Sequence, residues 1–126
     1  MRLVLLVAAG GALGSVLRYL VGLALAGVVG AGFPWAVLLV NVVGSFAIGF
    51  VTALGLELSR IPDEARVFWT TGVMGGLTTY SAFSMDLVRY LEAEAFVRAA
   101  LYFGATSVLA LLACAGGLFT ARLLGP

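Results

Sequence analysis

Four long apolar stretches, divided by short polar connectors, set the limits on what this chain can fold into. They run from about Leu3 to Val28, Trp35 to Leu58, Val67 to Tyr90 and Phe96 to Leu123. A bilayer core accepts about 20 apolar residues as one helix, and a helix satisfies its own backbone there. The 126 residues are therefore expected to form a single four-helix transmembrane domain, residues 1–126. Composition agrees: 63% of the residues are hydrophobic and 10% charged, far below the charge of a soluble domain. The net charge of +1 points neither to nucleic acid nor to a polybasic membrane patch. MRLVLLVAAGGALGS has the look of a signal sequence, but the apolar run resumes after Arg18, so it reads as the first membrane helix.

The connectors fit this division. GVVGAGFPW reads as a tight turn, with Pro34 suited to the first turn of the next helix. In SRIPDEAR, Pro62 followed by Asp63 and Glu64 reads as a helix start, with acids at the positive end of the helix dipole. Trp35, Trp69, Tyr90 and Tyr102 fall near span ends, as an aromatic belt would place them. With an even number of spans, Arg2, Arg60, Arg66 and Arg122 share one side and Arg89 and Arg98 the other. That bias is weak. Charge alone favours neither a single orientation nor insertion both ways.

Every base in the chain is Arg, there is no His, and Asn41 is the only side-chain amide. The lone Cys114 has no Cys or His partner for a disulfide or metal and reads as a small buried hydrophobe. Without clustered carboxylates either, the chain has no equipment for acid–base or metal catalysis and is not expected to be an enzyme. Polar groups at membrane depth are costly and face a bundle interior or water. Asn41, Ser45 and Thr52 share one face of the second span, as interhelical glue or as ligands. Arg18 interrupts the first span, either as a snorkelling anchor or as a charge at a vestibule. Tyr102 and Thr106, with Ser107, could continue a polar track on the fourth span.

The third span carries the strangest stretch, GVMGGLTTYSAFSMD, Gly72 to Asp86. Gly75-Gly76 followed by Thr78-Thr79 reads as a break in the helix at midplane. Such a break is tolerated only where protein or a cavity shields the backbone. Broken helices free carbonyl oxygens that can bind a cation such as Na⁺. Beyond the break, Tyr80 and Phe83 form an aromatic pair and Ser81 and Ser84 a hydroxyl pair, each at i and i+3. Ring edges, hydroxyls and an amide could together hold a small dehydrated anion without a fixed positive charge. A polar path at midplane needs more walls than four helices provide, so a homo-oligomer is expected, most simply a dimer.

GGALGSVLRY (Gly10 to Tyr19), VNVVGSFAIGF (Val40 to Phe50) and GVMGGLTTYSAFSMD resemble the three signature regions of the CrcB/Fluc fluoride channels, in order, spacing and four-span layout. The resemblance implies an all-α membrane protein of four transmembrane helices, the third broken. It implies an antiparallel, dual-topology homodimer in the bacterial inner membrane, surrounded by lipid. It implies passive, fluoride-selective export past Asn41, Tyr80 and Phe83, with Arg18 and Asp86 at vestibules; with the polar groups read from spacing, the expected pathway also takes in Thr79, Ser81, Ser84, Tyr102 and Thr106. It also implies a structural Na⁺ at the dimer centre, held by the backbone carbonyls of Gly75 and Thr78 from both subunits. Tyr80 stands where the family usually carries Phe, and Asp86 where many members carry Glu. Two other classes are weighed. A small proton-coupled drug exporter needs an embedded acid, and Glu57 lies only at the end of the second span. A non-transporting subunit or assembly factor would associate stably with another membrane protein and pass no ions alone.

Overall fold

A computed structural model describes residues 1–29 and 32–125. Among these residues the fold is entirely helical. Helix α1 is Arg2–Ala26 and α2 is Trp35–Thr52, the latter extended by a wider π-helical run, Ala53–Glu57. Helix α3, Asp63–Val67, widens into a second π-helical run, Phe68–Met74, followed by the short α4, Gly75–Leu77. Helix α5 is Tyr80–Glu92 and α6 is Phe96–Leu123.

Three helical runs among the described residues are long and apolar enough to cross a membrane: Arg2–Ala26, Trp35–Glu57 and Phe96–Leu123. These match the first, second and fourth expected spans. The third expected span is instead divided into the pieces from α3 to α5, with Thr78 and Thr79 in extended conformation between α4 and α5. The central residues of the expected turn GVVGAGFPW, Gly30 and Ala31, lie outside the described residues. Pro34 sits one position earlier than expected, as the residue preceding α2 rather than in its first turn. Pro62 precedes α3, and Asp63 and Glu64 occupy its first turn, as the sequence predicts.

The packing follows from small residues. Helix α1 buries only Gly10 and Gly14, and these lie against the Phe68–Leu77 segment. A Cβ on Gly10 would stand 2.7 Å from the Phe68 carbonyl, and one on Gly14 would run into the Val73 carbonyl. Helix α2 lies along α6, the most extensive helix pair in the molecule. Large apolar side chains on α1 and α6, among them Val4, Leu5, Leu111, Leu112 and Phe119, point outward. In water that surface would be a liability, whereas in a bilayer it faces lipid.

Two hydrophobic clusters form the interior. One joins Val40, Val73, Met74 and Leu77; the other joins Leu38, Phe83 and Tyr102. Helix α2 contributes to both, and the extended residues Thr78 and Thr79 lie between Leu77 of one and Phe83 of the other. Tyr102 is fully buried, so it is a core residue and not the belt residue the sequence suggested. The ion pairs Arg2–Glu64 (3.6 Å) and Arg122–Glu57 (2.7 Å) bring the start of α1, the end of the α2 run, the start of α3 and the end of α6 to one end of the bundle. That grouping of Arg2, Arg66 and Arg122 agrees with the side assigned from sequence.

Candidate functional site

The two extended residues organise everything near them. Thr78 keeps one helical bond, its N–H reaching the Met74 carbonyl at 2.9 Å. Its hydroxyl donates to the same carbonyl at 2.8 Å. The Thr79 N–H then leaves the helical path and donates to Asn41 Oδ1 at 2.8 Å. Asn41 Nδ2 donates back to the Thr79 carbonyl at 3.1 Å. This reciprocal pair fixes the amide orientation, because a backbone N–H can only meet the oxygen and a carbonyl only the nitrogen. One amide hydrogen of Asn41 is left over. The Thr79 side chain closes the start of α5, its hydroxyl oxygen accepting from the Ala82 N–H at 3.1 Å. This is the N-cap role that Thr performs at helix starts.

Close approach of α2 makes this possible. A Cβ on Gly44 would strike the Thr78 γ-methyl, so this position lets α2 come up against the break. Gly44 lies three residues after Asn41, and together they offer the break a recess and a hydrogen-bonding amide. The sequence did not single out Gly44 as a site residue. Its signal was the VNVVGSF motif itself.

Beside the break lies an open groove of about 520 Å³. Its walls come from α2 (Asn41, Gly44, Ser45, Ile48), the extended pair Thr78 and Thr79, α5 (Tyr80, Phe83) and α6 (Thr106, Ser107, Ala110, Leu111, Cys114). The Thr106 hydroxyl is buried there without a hydrogen-bond partner among the described residues. An unpaired buried hydroxyl is costly, so it marks a place where a ligand or water would be welcome. Cys114, expected as a small core residue, is half-buried at the apolar end of the groove.

The remaining site residues from the sequence are placed as follows. Phe83 is buried at the centre of a ring cluster, 5.5 Å from Tyr80, 5.1 Å from Tyr102 and 6.2 Å from Phe103 between ring centroids. Tyr80 is 77% exposed. Ser81 and Ser84 do not line the groove. The Ser81 hydroxyl lies 3.2 Å from that of Thr79, and Ser84 donates to the Tyr80 carbonyl at 2.9 Å. Tyr102 lies behind Phe83 and donates to Asp86 Oδ2 at 3.3 Å. Asp86 lines a second pocket, of about 390 Å³, with Arg89, Tyr90, Phe33 and Trp35. Arg18 is half-buried on α1 and lines neither cavity.

Carbonyls at the break lose their helical donors, those of Gly75 and Thr78 among them. In a continuous helix the Gly75 carbonyl would accept from the Thr79 N–H, and the Thr78 carbonyl from the Ala82 N–H. Both donors are taken, by Asn41 and by the Thr79 hydroxyl. At Gly75 and Thr78, the positions the family resemblance singles out, the helical donors are diverted to side chains. Gly75 is also exposed on the surface of the chain. Among the described residues no group of three His, Cys, Asp or Glu side chains could hold a metal. A cation here would therefore rest on backbone oxygens. The groove carries no charged side chain; beside the apolar Ile48, Ala110 and Leu111, an amide, hydroxyls and rings line it. Those are donors suited to an anion that must bind and leave.

Comparison with known proteins places this geometry in context. Residues 5–118 match the family described as CrcB-like protein, camphor resistance (CrcB). The chain is 48% identical over 122 residues to the fluoride-specific ion channel FluC of Rhizobium meliloti (strain 1021), covering 97% of this chain and 98% of that one. It is 44% identical over 119 residues to FluC of Rhodospirillum centenum, covering 94% and 91%. It is 48% identical over 113 residues to a FluC of Thermus thermophilus, covering 89% and 88%. These relatives are named as ion channels and not as enzymes, in line with the absence of catalytic equipment in the sequence.

Proposed function

Since the chain belongs to the CrcB/Fluc family, we propose that it is a fluoride-selective channel through which cytoplasmic fluoride leaves the cell passively. The observation that carries this reading is the groove beside the break: uncharged, largely apolar with a few placed donors, and walled by Tyr80 and Phe83. A fixed positive charge would trap fluoride. Neutral donors and ring edges replace part of its hydration shell and still release it. Asn41 offers its remaining N–H, and Thr106 offers a hydroxyl with no other partner among the described residues. Asp86 and Arg18 are assigned to vestibules, and Tyr102, Ser81 and Ser84 act from behind the groove wall.

The working unit is an antiparallel homodimer in the bacterial inner membrane. Three features support this. The groove is open along one side, Tyr80 presents its ring outward, and Gly75 lies on the surface. A second copy would supply the missing wall. In this dimer the third membrane crossing of each subunit is the helix pieces from α3 to α5, interrupted at Thr78 and Thr79. A sodium ion between the subunits would be held by the Gly75 and Thr78 carbonyls of each. Bound there, it would neutralise the oxygen dipoles that converge at the breaks.

A proton-coupled exporter is disfavoured by Glu57. Its carboxylate receives both Arg122 Nε (2.7 Å) and Nη2 (2.9 Å) at a helix end and is not poised to trade protons. The deciding measurement is fluoride efflux from liposomes holding the purified protein in Na⁺ buffer, with chloride for comparison. Rapid fluoride release and retained chloride are expected. Fluoride retained as in empty liposomes would end the proposal.

A further inference from the structure

We propose that Asn41 and Thr79 are positioning residues that hold the break open, each by capturing a backbone N–H that would otherwise close the helix. The inference rests on the channel reading above and deepens it. The geometry is specific. Asn41 Oδ1 takes the Thr79 N–H that belongs to the Gly75 carbonyl in a regular helix. The Thr79 hydroxyl takes the Ala82 N–H that belongs to the Thr78 carbonyl. A break at two glycines and two threonines could in principle close, since every residue from Gly75 to Thr79 can adopt helical angles. What opposes closure is competition for donors. Asn41 wins the first donor because it also satisfies the Thr79 carbonyl, pairing both backbone groups of one residue. Thr79 wins the second because its extended backbone places its own oxygen over the first turn of α5.

The consequence is a division of labour for Asn41. One face of its amide maintains the backbone, and the spare N–H serves the groove. Losing Asn41 should therefore damage two things at once: the anion path and the backbone arrangement that leaves the Gly75 carbonyl without its helical donor. A residue serving only as an anion donor would damage the first alone.

The test uses the full chain in lipid nanodiscs, with site-resolved amide hydrogen exchange and thermal unfolding in Na⁺ or in N-methylglucamine. In Asn41→Ala the Thr79 amide should exchange about tenfold faster than in the wild type, the scale expected for losing one buried hydrogen bond. Amides along α6 should be unchanged. In Thr79→Val the Ala82 amide should lose protection to a similar degree, while Thr79→Ser, which keeps the oxygen, should restore it. Asn41→Asp retains the acceptor and should keep the Thr79 amide protected. It serves as the deciding variant should Asn41→Ala fail to fold. Both Asn41→Ala and Thr79→Val should also lose any Na⁺-dependent rise of the unfolding midpoint. Wild-type exchange at Thr79 in Asn41→Ala, or loss of that protection in a folded Asn41→Asp, overturns the proposal. A wild-type protein that shows the exchange pattern but passes no fluoride upholds the positioning role and refutes the channel reading instead.

Discussion

The segments on either side of Thr78 and Thr79 are held to the molecule in opposite ways. Before the break, Phe68–Leu77 meets α1 backbone to backbone, with Gly10 and Gly14 facing Phe68, Gly72 and Val73. After it, α5 is held by rings: Phe83 packs on Tyr102 and Phe103, and Tyr80 leans on Phe83. Backbone contact leaves no soft atoms to yield. Ring contact leaves faces and edges that another group can share. The first half is suited to fixing the position of the break, and the second to offering a surface for a passing ion.

Substitutions can separate these two modes. The largest effect is expected from Gly14→Val, whose new side chain meets the Val73 backbone and not a flexible chain end. We expect a loss of about 3 kcal/mol or more, the upper range for overpacking, seen as a collapsed unfolding midpoint and aggregation on size exclusion. Phe83→Ile comes next. It should leave a folded protein but lower fluoride flux about tenfold, equivalent to about 1.4 kcal/mol in the barrier. Unchanged flux would show that the ring is core and nothing more. Gly44→Ala probes the contact between the modes. Its new methyl meets the Thr78 and Leu77 side chains and no backbone, so a cost of about 1 kcal/mol is expected in thermal unfolding, together with a partial loss of flux. The smallest effect belongs to Glu57→Gln. The Glu57–Arg122 pair lies at the solvent end of the bundle, remote from both contact modes. Flux should be unchanged and the midpoint barely moved, because exposed ion pairs contribute little. A marked fall in flux would mean that this end of the bundle is coupled to the break.

Much of this was legible residue by residue. Asn41 stood out because no other side-chain amide exists in the chain and it lies deep in an apolar run. The interruption at Thr78 and Thr79 was legible because two glycines and two threonines in succession weaken a helix. Thr106 stood out as a hydroxyl on an apolar helix, and the structure buries it at the groove. Other residues were misplaced by spacing alone. Ser81 and Ser84 sit at i and i+3, which suggested a hydroxyl strip, yet neither lines the groove. Ser84 spends its donor on the turn behind it, as mid-helix Ser commonly does. Tyr102 sits near a helix start, which suggested a membrane belt, yet α2 and α5 close over it.

The sequence by itself determined the environment and the element types. Apolar length dictates membrane helices, Pro and acidic residues mark the start of α3, and the Gly-Thr run weakens one segment. These are local properties, carried by the chemistry of neighbouring residues along the chain. Only the tertiary structure decided what happens at the weak point. Asn41 is 38 residues away from Thr79, and no periodicity links them. Their pairing exists because α2 reaches the break past Gly44, at a site bounded by two separate hydrophobic clusters. The partner of the Thr79 N–H is thus a side chain that only the packing of α2 against the break brings within reach.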